Sequence, residues 1–226
     1  MDYGVVIPAW NAERTIGYTL KSILQQTLPP CEIIVVDDGS TDQTVSVSKS
    51  VSDQINVISQ KNQGPGSASS NGIRQLSSPL VALLDADDLW LPTKMERQVE
   101  TLCQTPKVDL VYCKTRQFRH GSDDLTTGEV RTGPNRSNIT LRRNVFLSVG
   151  DIIDPPGNRG DVVDWLARFR ENGHLEAEIK EVLAMRRIIA GSMSYGRDPK
   201  KDVGYLSVVH QAILRKRRAQ SNTEKS

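Results

Sequence analysis

Much that would identify this chain quickly is scarce or missing from its 226 residues. There are three cysteines, Cys31, Cys103 and Cys113, an odd number at spacings that fit no metal site. That excludes a disulfide-stapled scaffold and points to free thiols in a reducing compartment. Aromatic residues make up 5% and the net charge is only +2, so a nucleic-acid module with stacking rings on a basic surface is disfavoured. No apolar run approaches the ~20 residues that a membrane-spanning helix needs. The N-terminus lacks the basic-then-apolar pattern of a signal peptide, and Tyr3–Pro8 already reads as a strand. The expected location is the cytoplasm, or at most the periphery of a membrane. Asn135-Arg136-Ser137 and Asn138-Ile139-Thr140 match the glycosylation acceptor pattern, which only a secreted chain would use. The basic surplus is local: Arg215-Lys216-Arg217-Arg218 reads first as a solvated helix end and second as a contact for an acidic membrane surface or an anionic acceptor.

What remains is ordinary globular composition, 37% hydrophobic and 25% charged, in a length that suits one large α/β domain. Short Val- and Ile-rich runs at Tyr3–Ile7, Glu32–Asp37, Ile55–Ser59 and Leu80–Leu84 suit buried parallel strands. Helical patterns alternate with them. Ala12–Gln26 carries Ile16, Leu20, Ile23 and Leu24 on one stripe, with Asn11 as an expected cap. Ser40-Thr41-Asp42-Gln43 has the form of a capping box, and Ser67–Leu76 is a weaker helix. This alternation predicts an α/β, Rossmann-like, mostly parallel sheet with flanking helices and all strand C-termini on one edge. Further on, the sequence predicts a helix over Thr93–Gln104 and a strand over Val108–Phe118. A polar loop over 119–137 follows, then a short strand at Asn138–Leu141 and helices at Arg143–Val149 and Asp161–Glu171. Lys180–Ile189 reads as a strand and Asp202–Arg217 as an amphipathic helix that could pack against a second copy.

The acidic residues fall where such a sheet would gather them. Asp37-Asp38 ends one strand, and Asp85, Asp87 and Asp88 end another. Carboxylates crowded on one edge repel each other unless a cation sits among them, and a hard divalent ion is the natural one. The first strand–helix turn, Pro8–Glu13, lacks the Gly-x-Gly-x-x-Gly of a dinucleotide fold, and the chain has no P-loop. Phosphates would then be held through metal rather than by a glycine nest, with Trp10 as an apolar wall for a base.

At this point the residues resemble a known family. Val5-Val6-Ile7-Pro8-Ala9-Trp10-Asn11-Ala12-Glu13, then Ile33–Asp42, then Asn62-Gln63-Gly64-Pro65, then Leu83-Leu84-Asp85-Ala86-Asp87-Asp88-Leu89-Trp90 are similar in order and spacing to family 2 glycosyltransferases of the GT-A fold. The resemblance covers roughly the first 105 residues. It implies an inverting transfer of a sugar from a nucleotide-diphosphate donor, UDP-sugar favoured, to a hydroxyl acceptor, with Mn²⁺ or Mg²⁺. It implies a nucleotide-sugar-binding core over 1–118 and an acceptor-binding, base-bearing region over 119–226, together one continuous domain. By position, Pro8, Ala9, Trp10 and Glu13 would border the nucleotide and Asp38 would meet the base edge. Asp85 would contact the ribose, Asp87 would ligate the metal and Arg187 would supply charge to the phosphates. Asp161, and less centrally Asp164, would be the catalytic carboxylates. Each has a plainer reading, Asp161 as a first-turn helix residue and Asp164 as an i,i+4 partner of Arg168.

Three positions depart from the family pattern. Ala190 stands where short members carry His, Ser69 where they carry Arg, and Gly160 where a Glu precedes the base. These departures feed a second reading, a catalytically degenerate relative that binds a nucleotide sugar or a partner protein. A sugar-phosphate nucleotidyltransferase would share the sheet but needs a Gly-rich basic loop after the first strand, which Pro8–Glu13 is not. The acceptor, whether glycan, lipid-linked sugar, metabolite or peptide, has no legible motif.

Overall fold

A computed structural model describes residues 1–122, 124–189 and 199–223. In chain order it runs β1 (Tyr3–Ala9), α1 (Ile16–Leu24), β2 (Glu32–Asp37), α2 (Thr44–Val51), β3 (Ile55–Ser59), α3 (Pro65–Gln75), β4 (Leu80–Leu83) and β5 (Leu89–Trp90). It continues with α4 (Lys94–Gln104), β6 (Leu110–Arg119), β7 (Val130–Arg131), a 3-10 turn at Arg136–Asn138, β8 (Ile139–Arg142) and α5 (Arg143–Val149). A second 3-10 turn at Pro156–Asn158 precedes α6 (Asp161–Glu171), β9 (Glu176–Ile188) and α7 (Pro199–Thr223).

The strands form one sheet in the order β3-β2-β1-β4-β8-β6-β9-β5, with β7 paired to β6. From β3 to β4 every pairing is parallel, with Val5 opposite Ile33 on one side and Ala82 on the other. The reason is visible in β1, where all seven residues are buried. A strand covered on both faces has no polar side to show, so it reads as an unbroken apolar run. Its alternate residues then serve two cores. Val5 and Ile7 pack with Ile16, Leu20 and Ile23 of α1, while Val6 packs with Ile73 of α3 and with Phe146 and Trp165 beyond. Burying each such aliphatic side chain stabilises the fold by roughly 1.5–3 kcal/mol before entropy is counted. At Gly72 a β-carbon would lie 2.4 Å from Val6, so α3 approaches the sheet at a distance only glycine permits.

Several element boundaries differ from the sequence expectation, for local reasons. Helix α1 starts at Ile16 rather than Ala12, because Asn11–Glu13 is stitched to the β2–α2 loop. Asn11 adopts φ 48°, and its side-chain oxygen accepts from the Thr41 amide at 2.9 Å instead of capping α1. Ser40–Gln43 is not a capping box. It is Asp42 that accepts from the Thr44 amide, at 3.0 Å, as α2 begins. Residues 119–137 are not one open loop, since they include β7 and the start of the Arg136–Asn138 turn. Strand β9 starts at Glu176, four residues earlier than expected.

The decisive topological feature is β8. It runs antiparallel to β4, with Leu80 opposite Arg142, and antiparallel to β6. Its N-terminus therefore lies at the C-terminal edge of β4, and the 3-10 turn just before it is delivered to Asp85. β9 runs parallel to β6, so its C-terminal residues, Arg187 among them, reach the same edge.

No helix among the described residues is long and apolar enough to cross a membrane. Asn138, one of the two glycosylation-pattern asparagines, is fully buried, and its amide donates to the Cys113 carbonyl at 2.6 Å and the Gly133 carbonyl at 3.0 Å. In the folded chain that nitrogen is inaccessible to a modifying enzyme.

Candidate active site

The edge collects the strand-end carboxylates as the alternation of elements required. Asp85 follows β4, and the turn through Asp88 is held from beneath by Thr19 of α1. The Thr19 hydroxyl lies 3.0 Å from the Ala86 carbonyl and 2.8 Å from that of Asp88. Asp88 is buried and accepts from the Ser137 hydroxyl at 2.6 Å and the Arg187 amide at 2.8 Å. Burial, with Asp87 and Asp85 adding like charge, pushes its carboxyl well above the usual carboxylate range. Asp87 is driven up to about 6, chiefly by burial and then by Asp85, with Arg187 and Arg186 acting the other way. Two acidic groups raised in this way are a site short of positive charge.

Arg187 is one of the cations that reach this turn. Its Nε donates to the Asp87 carbonyl at 2.7 Å, and its guanidinium lies 4.5 Å from the Phe118 ring and 5.7 Å from that of Tyr18. Burial lowers its pKa, and Asp87 and Asp88 oppose the shift. A planar cation held on aromatic faces has little rotamer freedom left to lose when it meets a phosphate.

Asp161 is the first residue of α6 and is buried. The structure brings it to the Asp85 side of the site through a residue that sequence reasoning missed. Arg136 donates from one terminal nitrogen to Asp85 at 2.8 Å and from the other to Asp161. Burial lowers the pKa of the guanidinium, but Asp161 and Asp85 more than offset this and hold it above its ordinary value. The only sequence signal was the cluster Asn135-Arg136-Ser137-Asn138 itself, polar but dense in hydrogen-bonding side chains. It read as loop because the carboxylates that Arg136 joins, Asp161 and Asp85, lie 25 and 51 residues away.

Asp164 is not brought to this cluster. Its two oxygens accept from Arg168 and from Arg215, each at 2.9 Å, which ties α6 to α7. The plainer reading of Asp164 is the one the structure displays. Asp38 is also engaged structurally. One oxygen accepts from the Gln63 amide and the Gln60 side chain, and the other from the Gly64 amide, all at 2.9 Å, so it orders the 60–64 loop beside the edge. Glu13 accepts from the Gln43 amide at 2.9 Å and clasps the two strand–helix turns together. Pro8 and Ala9 end β1 as buried residues, while Trp10 is 58% exposed at the lip.

Two family departures acquire a physical cause. Gly160 has φ +99°, a backbone conformation strained for any residue with a side chain, and a β-carbon there would lie 3.2 Å from the Tyr205 ring, which would have to give way. Ser69 is fully buried with its hydroxyl donating to the Pro65 carbonyl at 2.7 Å, leaving no room for an arginine. Ala190 lies outside the described residues.

Among the described residues no group of three or more His, Cys, Asp or Glu forms a cage for a metal ion. That is compatible with a small divalent cation of the kind held by one or two carboxylates plus substrate phosphates. Asp87, its carboxyl raised by burial and by Asp85, is the group whose chemistry fits such an ion.

The architecture is that of the GT-A glycosyltransferases. It is similar to the crystal structure of S. aureus TarS in complex with UDP-GlcNAc, with a TM-score of 0.75 at 19% identity over 95% of this chain and 66% of that one. The mannosyltransferase PcManGT from Pyrobaculum calidifontis, in complex with GDP-Man and Mn²⁺, aligns with a TM-score of 0.65 at 18% identity, covering 84% of this chain and 58% of that one. Residues 4–156 match Glycosyl transferase family 2, and the chain belongs to that family. It is 37% identical over 177 residues to an uncharacterized glycosyltransferase of Nostoc sp., covering 69% of this chain and 55% of that protein. It is also 37% identical over 98 residues to the succinoglycan biosynthesis protein ExoU of Rhizobium meliloti, covering 42% of this chain and 28% of that protein. The chain thus spans about half or less of the length of these relatives.

Proposed function

We propose that the chain transfers a sugar, with inversion, from a nucleotide-diphosphate donor to a hydroxyl acceptor. The observation that carries this is the single guanidinium of Arg136 touching both Asp85 and Asp161. A carboxylate suited to proton abstraction thereby stands within one side chain's width of the strand end where a donor would sit. Pro8, Ala9 and Trp10 would border the base, with Asp38 and Glu13 shaping the same wall through the loops they hold. Asp85 would meet the ribose, and Arg187 would face the diphosphate. A divalent cation, Mn²⁺ or Mg²⁺, held by Asp87 and the phosphates, would neutralise the leaving diphosphate. The neighbouring structures with UDP-GlcNAc and with GDP-Man and Mn²⁺ support this reading of the edge.

In the transfer, Asp161 takes the proton of the acceptor hydroxyl as its oxygen attacks the anomeric carbon. The bond from that carbon to the diphosphate oxygen breaks on the opposite face, and its electron pair leaves with the diphosphate. A positioned base of this kind is worth roughly 10²–10⁴ in rate. The direct test is release of nucleoside diphosphate from a panel of UDP-, GDP- and dTDP-sugars, with and without Mn²⁺. Metal-dependent release from one donor is expected. Asp161→Asn should keep UDP affinity and lose turnover by about 10²–10⁴; wild-type turnover in that variant would place the base elsewhere. Gly160 and Ser69 favour one competing reading, a degenerate relative that binds donors without transfer. Donor binding in Mn²⁺ with no transfer to any acceptor would support it.

A further inference from the structure

Arg136 is built into the site more firmly than a stray ion pair would be. The turn that carries it is capped from both ends. Asn135 accepts from the Ser137 amide at 3.0 Å, and Asn138 accepts from the Asn135 amide at 2.8 Å. Its neighbours are fastened to the strand end, Ser137 through Asp88 at 2.6 Å and through Trp90, whose indole N–H donates to the Ser137 carbonyl at 2.7 Å. The side chain is 8% exposed and its Nε is buried with no hydrogen-bond partner. A tie serving only stability is normally fully satisfied. Here one N–H is unspent, beside two carboxylates that the proposed reaction uses.

The charges facing Asp161 define its problem. Arg136 lies against it, Asp85 lies across the guanidinium, and Asp154, at the α3 N-terminus, adds repulsion from the third side. Arg159 and Asp164 flank it on its own segment, the latter spent on Arg168 and Arg215. The shared guanidinium sets one positive charge between the two carboxylates, and its fork geometry fixes the plane of each.

We propose that Arg136 is a positioning residue that couples the two sides of the site. By sharing its guanidinium between Asp85 and Asp161 it holds the base carboxylate in place, and it carries to Asp161 any change in what Asp85 binds. The inference rests on the proposed transfer reaction for its meaning, but not for its test.

The test is a carboxyl titration of the full chain labelled with ¹³C-aspartate, with the Asp161 signal assigned by Asp161→Asn. Arg136→Met should raise the Asp161 midpoint by about one pH unit or more, and Arg136→Lys, which keeps the charge, should return most of that shift. Arg136→Gln stands in if the Met variant does not fold. Adding UDP with Mn²⁺ should move the Asp161 signal in the wild type and leave it still in Arg136→Met. If the transferase is active, the acid limb of its pH–rate profile should move with the titration, while donor KM changes less than about threefold. An Asp161 midpoint that is the same in wild type and Arg136→Met overturns the inference. Failure of every donor to bind, with the midpoint still shifted, would leave the coupling standing and reject the transferase reading instead.

Discussion

Ser137 and Asp88 are 49 residues apart in sequence, yet the serine hydroxyl donates to the aspartate carboxylate across 2.6 Å. Both are buried. Removing that donor by Ser137→Ala leaves Asp88 leaning on the Arg187 amide and a repulsive neighbourhood. The expected cost is about 1–3 kcal/mol, read as a lower urea midpoint with an unchanged slope. An unaltered midpoint would mean that Asp88 is already protonated and satisfied without the serine.

Asp87→Ala should separate binding from stability. It should abolish Mn²⁺-dependent UDP binding, measured by calorimetry with an EDTA control. Without cation it should also stabilise the fold. The folded-state carboxyl is raised to about 6 from the ordinary 3.8, so between those values the folded chain binds more protons than the unfolded one. Stability from this group therefore falls as pH rises from about 4 to 6 and stays reduced above. The variant lacks that cost and should gain roughly 1–3 kcal/mol at pH 7 in EDTA. UDP affinity unchanged in Mn²⁺ would remove Asp87 from the metal site.

Lys94 offers a pH dependence of the opposite sign. Its ammonium is buried 3.9 Å from the Trp90 ring centre, donates to Gln98 at 2.7 Å, and is lowered by burial to about 7. Between pH 7 and the unfolded value near 10.5 the unfolded chain binds one proton more, so stability from this group rises with pH there. The slope is up to about 1.4 kcal/mol per pH unit, and below pH 7 it vanishes. Lys94→Met, similar in length and apolar, should flatten that rise in a pH series of chemical denaturations. A series identical to wild type would show that Gln98 and Trp90 fully solvate the ammonium.

Gly160→Glu restores the residue that the family usually places before the base. It should harm this chain. A left-handed φ of +99°, with the Tyr205 ring 3.2 Å from the new β-carbon, predicts a loss of about 1–3 kcal/mol. A thermal midpoint equal to wild type would mean that the backbone at 160 relaxes out of the left-handed region at no cost.

The half of the site that belongs to parallel strands was legible beforehand. Pro8, Asp38, Asp85 and Asp87 lie at or just past the ends of short apolar runs, and the alternation of those runs with helical patterns predicted one sheet with all strand C-termini on one edge. Arg136 was not legible, because nothing local distinguishes a polar loop arginine from one inserted between two carboxylates. Asp164 misled for the complementary reason. Its i,i+4 spacing to Arg168 was visible, but Arg215, 51 residues on, was needed to show both oxygens engaged.

What the sequence determined by itself was the alternation of buried apolar runs with helical stripes and the placing of acids at the ends of those runs. From these the class of fold and the position of its edge follow, since local geometry and hydrophobic burial act over a few residues. What only the tertiary structure decided was which distant charges share a cation. The antiparallel insertion of β8 beside β4 carries Arg136 to Asp85, and the N-terminus of α6 brings Asp161 to the other side of the same guanidinium. Electrostatic partnership in a buried site depends on distances of a few ångströms between segments far apart in the chain, and no local pattern encodes them.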